Sequence, residues 1–110
     1  MVKVEVFSGV CGFKTEIKVE GKKGYKATCQ ITTGCPNHKK VAKVLENAEI
    51  NVMNELFKKG ESRVLAACRD NIPHVSCPVP AGILKALEVG VGLALPADAT
   101  ITFVKKEEGK

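Results

Sequence analysis

Strict alternation of apolar and polar residues near the N-terminus constrains the fold of this chain more than any other feature. Val2, Val4 and Val6 alternate with Lys3 and Glu5. A period of two is typical of strands that bury one face and expose the other. Two further segments alternate in the same way, with inward rows of Thr15, Ile17 and Val19, and of Tyr25, Ala27, Cys29 and Ile31. Glycine-bearing turns separate the segments, so the pattern predicts an antiparallel three-stranded meander.

Helical spacing replaces this alternation after Cys35-Pro36. The next apolar residues fall at i, i+3, i+4 and i+7, which predicts an amphipathic helix; they are Val41, Val44, Leu45 and Ala48. A break near Ile50-Asn51 is expected, with helical spacing continuing or restarting after it. Two more helices are predicted, from Ser62 to Asp70 and from about Pro80 to Leu93, and a final strand from Thr100 to Val104.

The predicted order β-β-β-α-α-α-β indicates an α+β fold. We expect a two-layer sandwich in which three helices cover one face of an antiparallel β-meander plus a C-terminal strand. A chain of 110 residues has room for one hydrophobic core, so residues 1–104 are predicted to form a single α+β domain. Residues 105–110 are predicted to be a flexible charged tail, because they include no apolar side chain that could dock. The position of the last strand in the sheet stays open.

Composition and charge limit the binding partners and the cellular location that we expect for this protein. The formal net charge of +5 comes from scattered basic residues, and the chain has no Trp and one Tyr. Nucleic-acid binding is therefore disfavoured, since aromatic side chains are what stack bases. No apolar stretch reaches the roughly 20 residues that a bilayer requires, and the N-terminus does not resemble a signal peptide. We expect a cytoplasmic protein whose five cysteines are thiols or ligands. The sequence leaves open whether the protein binds a protein partner, and an exposed edge strand would allow a homodimer.

The predicted topology gathers cysteines and histidines at one end of the sheet. We call end A the end that carries the first hairpin loop, where Cys11 lies. Strands of a meander alternate in direction, so Cys35 after the third strand also lies at end A. Helices that run away, back and away again would bring later residues to the same end. The predicted cluster is Cys11, Cys35, His38, Cys68, His74 and Cys77, whereas Cys29 lies along a strand on the core side.

Two cysteines stand directly before predicted helices, in Cys35-Pro36 and Cys77-Pro78. A helix N-terminus offers free N–H donors and the positive end of the helix dipole, which favour the thiolate that binds metal. The spacings Cys35-x-x-His38 and His74-x-x-Cys77 are mirror images, and each could supply two ligands.

Three kinds of site are compatible with these residues. An iron–sulfur cluster would take Cys11, Cys35 and Cys77, with Cys68 or a histidine as the fourth ligand. A tetrahedral zinc site would use Cys35, His38, His74 and Cys77. A thiol-redox site would pair two loop cysteines without metal.

The competing interpretation is a non-catalytic interaction module whose cysteines only pack. Cys29 and Cys68 lie on apolar faces, where a thiol is typically a small hydrophobic residue. Catalysis by another route has no support, because Ser8 lacks partners for a triad and no pair of carboxylates stands out. We therefore predict no catalytic residue and leave enzymatic activity undecided.

Two segments carry a resemblance. CPVPAGILKALEVGVGLALP, together with Val10-Cys11-Gly12-Phe13, resembles small uncharacterised cysteine-containing proteins of anaerobic bacteria and archaea. The resemblance implies a cytoplasmic setting in which an oxygen-sensitive cluster would survive, and it brings no assigned activity.

Overall fold

The three N-terminal strands form where the alternation predicts them. In a computed structural model that describes residues 1–58 and 62–105, they are β1 (Val2–Phe7), β2 (Lys14–Lys22) and β3 (Lys26–Thr33). They pair antiparallel, with Val4 opposite Ile17 and Val19 opposite Cys29. The predicted α+β class and antiparallel meander are therefore confirmed.

A fourth strand and four helices follow. They are α1 (Pro36–Leu45), β4 (Ile50–Asn51), α2 (Val52–Phe57), α3 (Arg63–Asn71) and α4 (Val79–Gly90). The break expected at Ile50-Asn51 is the short strand β4, which pairs with the start of β3 and completes the sheet order β1-β2-β3-β4. The predicted order with three helices is wrong, because the segment after this break starts a separate short helix, α2.

The helices form more than one layer. Helix α1 packs against β3, and α4 packs against β1 and β2, so these two helices cover the inner face of the sheet. Helix α3 packs mainly against α1 and α4. The prediction of three helices on one face of the sheet is wrong for this reason: the apolar face of a small sheet is already covered by two helices.

Two close contacts between α4 and the sheet fix the direction of this helix. A Cβ atom at Gly90 would lie 2.5 Å from Cγ1 of the buried Val19, and one at Gly82 would collide with the side chain of Val6. Only glycine fits at either contact. Val6 lies near end A and Val19 lies toward the opposite end, so α4 runs away from end A. Its N-terminus, next to Cys77, therefore lies at end A.

The predicted C-terminal strand is not formed within the chain. Residues 95–105 have no regular secondary structure, and α4 ends at Gly90 rather than near Leu93. Alternation gives Thr100–Val104 a preference for extended backbone, but no strand within residues 1–58 and 62–105 pairs with it. Of the predicted tail at 105–110, Lys105 is exposed and the remainder lies outside the described residues. In the part of the chain that the structure describes, no helix is long and apolar enough to cross a membrane.

Candidate functional site

A cavity of about 110 Å³ opens at end A between the β1–β2 loop, the start of α1 and the segment before α4. Five of the six residues predicted to gather at end A line this cavity: Cys11, Cys35, His38, His74 and Cys77. The sixth, Cys68, is buried on α3 and does not line it. Ser8, Phe13, Pro36, Asn37 and Ile72 complete the wall.

Hydrogen bonds at the end of β3 hold Cys35 at the cavity. The hydroxyls of Thr15 and Thr33 lie 2.8 Å apart, and the backbone N–H of Cys35 donates to Oγ1 of Thr33 over 3.1 Å. Cys35 is the residue that precedes α1, and its side chain makes no capping hydrogen bond. Its sulfur is therefore held beside the free N–H groups of a helix start without being used by them.

His38 and Cys77 form the inner wall of the cavity. His38 lies on the buried face of α1 with Val41 and Leu45 and is 2% exposed. Its Nε2 lies 3.0 Å from Sγ of Cys77. Its Nδ1 is buried, and no residue that the structure describes hydrogen-bonds to it. We place the ring proton on Nε2, because a buried N–H without an acceptor at Nδ1 would cost more than an unused lone pair.

The metal-free pair is neutral. Burial raises the pKa of Cys77, hydrogen bonds from the backbone of Val79 and the side chain of Ser8 oppose that rise, and nearby Cys11 and Cys35 add to it. Burial also lowers the pKa of His38, and the charge of His74 lowers it further. Both shifts disfavour a thiolate–imidazolium pair, so Cys77 lacks the lowered pKa of a reactive thiol.

Cys11 reaches the cavity from a loop built on two glycines. Gly9 and Gly12 have φ of +83° and +75°, in the left-handed region that favours glycine, and the Gly12 N–H donates to the Gly9 carbonyl over 2.8 Å. Cys11 is exposed. A Cβ atom at either glycine would meet no atom of the described residues within 4 Å, so the positive φ angles and not close packing favour glycine at these two positions.

The two buried cysteines differ in their surroundings. The pKa of Cys68 is raised to about 11, mainly by burial and secondly by the neighbouring Cys77. Burial also raises the pKa of Cys29 to about 11, but its second cause is the carboxylate of Glu55. Cys68 is therefore the fourth thiol near the cavity, whereas Cys29 belongs to the core beneath the sheet, as the sequence predicted.

The side chains do not form a ready-made centre for one ion. Within residues 1–58 and 62–105, no three or more His, Cys, Asp or Glu side chains come together in an arrangement that could hold a metal ion. The tetrahedral zinc set predicted from Cys35, His38, His74 and Cys77 is therefore not preformed.

Sequence reasoning missed Ser8 as a residue of the cavity wall. Ser8 lies at the base of the Cys11 loop, where its N–H donates to the Phe13 carbonyl over 3.0 Å, and its side chain acts to lower the pKa of Cys77. Ser8 could have been predicted from its position three residues before Cys11, because a short loop that brings one residue to the cavity also brings the residues next to it.

A family model described as a family of unknown function (DUF6951) matches residues 2–103, which is nearly the whole chain. This chain is a DUF6951 protein. No curated protein and no solved structure gave a significant match. The DUF6951 match includes every residue of the cavity and the segment after α4 up to Phe103, and it assigns no activity.

Proposed function

We propose that this protein binds an iron–sulfur cluster in the cavity at end A, with Cys11, Cys35 and Cys77 as thiolate ligands. One observation carries the proposal: three thiols from three separate parts of the chain line one small cavity. Packing alone explains this poorly, because Cys11 is exposed and Cys35 and Cys77 are only half-buried. Core cysteines are typically buried, as Cys29 is.

The spacing of the side chains favours a cluster over a single ion. Sulfurs that bind one zinc ion lie within about 4 Å of each other, as Zn–S bonds of about 2.3 Å in tetrahedral geometry require. No such group is present in the described part of the chain. A cluster distributes its cysteine ligands over two or four iron atoms, so these ligands surround a volume instead of one point.

The helix start at Cys77 supplies hydrogen bonds that suit a cluster ligand. Nε2 of His38 lies 3.0 Å from this sulfur, and the backbone of Val79 and the side chain of Ser8 both act to lower the pKa of Cys77. Hydrogen bonds to ligand sulfurs stabilise thiolate and tune the reduction potential of a cluster. His38 is in this proposal a positioning residue and not a ligand, because a histidine ligand normally donates its other ring N–H to a partner, which Nδ1 of His38 lacks.

The fourth ligand in the proposal is Cys68. Clusters of the common types are held by four cysteine thiolates. Cys68 is the one remaining thiol close enough to Cys77 for their charges to interact. His74, which lines the cavity and is exposed, is the alternative ligand.

Anaerobic purification and reconstitution of the full chain with iron and sulfide test the proposal. We expect visible charge-transfer absorption, stoichiometric iron and acid-labile sulfide, and a signal in electron paramagnetic resonance after reduction or oxidation. Cys11→Ser, Cys35→Ser and Cys77→Ser should each lose most of the bound iron. Cys11→Ser is the most informative variant, because an exposed loop position does not affect folding.

Cys29→Ala is the matched control, since it removes a thiol of the same chain outside the cavity. It should retain the cluster even if it lowers the melting temperature. A folded wild-type protein that stays colourless after reconstitution would refute the proposal, and so would equal iron loss in Cys29→Ala and Cys11→Ser.

A further inference from the structure

The inner face of the sheet is incompletely covered at the outer edge of β1. The inward residues Val2, Val4 and Val6 are only half-buried. Their partners on β2 include Ile17 and Val19, which are completely buried. β1 has β2 on one side and, in the described part of the chain, no strand on the other. The edge therefore offers free backbone hydrogen-bonding groups and a partly exposed apolar row.

A second segment, residues 97–103, has an exposed apolar face and no strand beside it among the described residues. Residues 97–103 read Ala-Asp-Ala-Thr-Ile-Thr-Phe, a strict alternation that places Ala97, Ala99, Ile101 and Phe103 on one face. Ile101 is 83% exposed and Phe103 is 96% exposed. The segment follows the end of α4 without regular secondary structure, and the family match includes it up to its last residue. Residues 97–103 therefore have the sequence pattern of a β-strand but no partner strand among the described residues.

We propose that residues 97–103 pair with the outer edge of β1 in a second copy of this chain, and that the exchange is reciprocal. Each protomer of a twofold dimer then gives one strand and receives one. The row of Ile101 and Phe103 continues the apolar row of β1 and completes the cover of the sheet. Seven extended residues span about 23 Å, which matches the length of the six-residue strand β1.

The occupant is a second copy because reciprocal exchange covers both the edge of β1 and the apolar face of residues 97–103. Within one protomer, this segment pairs with no strand of the part of the chain that the structure describes. A strand from another protein would cover β1 but leave Phe103 exposed. The area also requires two exchanges: aromatic side chains bury about 150–250 Å² each. Two copies of Ile101 and Phe103 thus bury on the order of 600 Å², and the surfaces that they cover bring the total to on the order of 1,200 Å², the lower limit of standard interfaces. A single exchange reaches half of that.

Light scattering on the full chain tests the proposal. We expect a mass about twice the 11.8 kDa of one chain. Ile101→Asp and Phe103→Asp place a charge on the apolar face and should weaken the dimer at least about 100-fold, since two buried aromatic or aliphatic side chains are lost per dimer. Thr102→Asp is the matched control on the opposite face of the same segment and should stay dimeric.

C-terminal truncations of the chain test the same proposal if Ile101→Asp or Phe103→Asp does not fold. A chain ending at Pro96 should be monomeric, and one ending at Lys105 should remain a dimer. A wild-type monomer would refute the proposal, including a monomer whose 97–103 amides are protected from hydrogen exchange by its own β1. A dimer that survives both Phe103→Asp and the truncation at Pro96 would refute it as well.

Discussion

Nε2 of His38 and Sγ of Cys77 lie 3.0 Å apart and join the first turn of α1 to the start of α4 across the inner wall of the cavity. The two helices are those that cover the sheet, so the geometry of the cavity depends on their packing. A change at either residue therefore affects both the site and the contact between the helix starts.

The identity of the fourth cluster ligand is testable by one pair of variants. Cys68→Ser should remove most of the iron from the reconstituted protein, because the oxygen of serine is a poor substitute for thiolate at an iron–sulfur cluster. His74→Gln should retain it. Iron and sulfide analysis of both variants, beside Cys29→Ala, measures the effect. The reverse result, with iron lost only in His74→Gln, would assign the fourth position to the histidine.

The five thiols of the metal-free protein should differ in reactivity. The pKa of Cys29 and of Cys68 is raised from 9.0 to about 11, so each has about 100-fold less thiolate at neutral pH than an ordinary cysteine. Both should react with iodoacetamide only after unfolding, whereas the exposed Cys11 reacts at once. Peptide mass spectrometry over a time course gives the order. Rapid modification of Cys77 would support the thiol-redox alternative, because its raised pKa predicts slow reaction.

The stability of the metal-free protein should fall on mild acidification. The pKa of His38 is lowered from 6.5 in the folded state, so below pH 6.5 the unfolded chain binds a proton that the folded chain does not. Stability is therefore unaffected by His38 above pH 6.5 and decreases as the pH falls from 6.5 toward the folded pKa. Urea unfolding of His38→Gln should show a smaller decrease, because glutamine does not titrate.

The matched control for this pH effect is His74→Gln. His74 is exposed and only modulates the pKa of His38 through its charge. This variant should keep most of the decrease in unfolding free energy between pH 7 and pH 5. If wild type and His38→Gln lose the same free energy over that range, the buried imidazole is not the responsible group.

The strands were predictable because their signal is local. Alternation placed β1 and β3 within about a residue of their bounds and ended β2 at least two residues early, and short connections then placed Cys11 and Cys35 at one end of the sheet. The same alternation failed at Thr100–Val104, because it reports a preference for extended backbone and not the presence of a neighbouring strand.

The buried face of α1 shows why the site was only partly predictable. The apolar spacing predicted that Val44 would face the core, but it is largely exposed, and the buried face consists of His38, Val41 and Leu45. His38, Val41 and Leu45 stand at positions i, i+3 and i+7 of this helix. A search for apolar periodicity misses the first of these buried positions, because histidine is polar. The contact between His38 and Cys77 depends on how α1 and α4 pack, which no local pattern reports.

Glu55 was missed for the same reason, and it gives the last prediction. Its buried carboxylate accepts hydrogen bonds from the Ser62 hydroxyl at 2.6 Å, the Arg63 N–H at 2.7 Å and the Val64 N–H at 3.0 Å. Negative charge at the N-terminus of α3 also interacts favourably with the helix dipole. Glu55→Gln should lower the free energy of unfolding by about 1–3 kcal/mol, because an amide nitrogen cannot accept and opposes at least one of these donors.

Glu49→Gln is the control for this change, since Glu49 is exposed and pairs with Lys26 at 3.8 Å. Exposed ion pairs contribute little, so this variant should unfold within about 0.5 kcal/mol of wild type in urea. Hydrogen exchange should show faster opening of α3 in Glu55→Gln alone. Because α3 carries Cys68, we also expect that variant to bind the cluster less tightly. Equal unfolding free energies for the two variants would mean that Glu55 does not stabilise the start of α3.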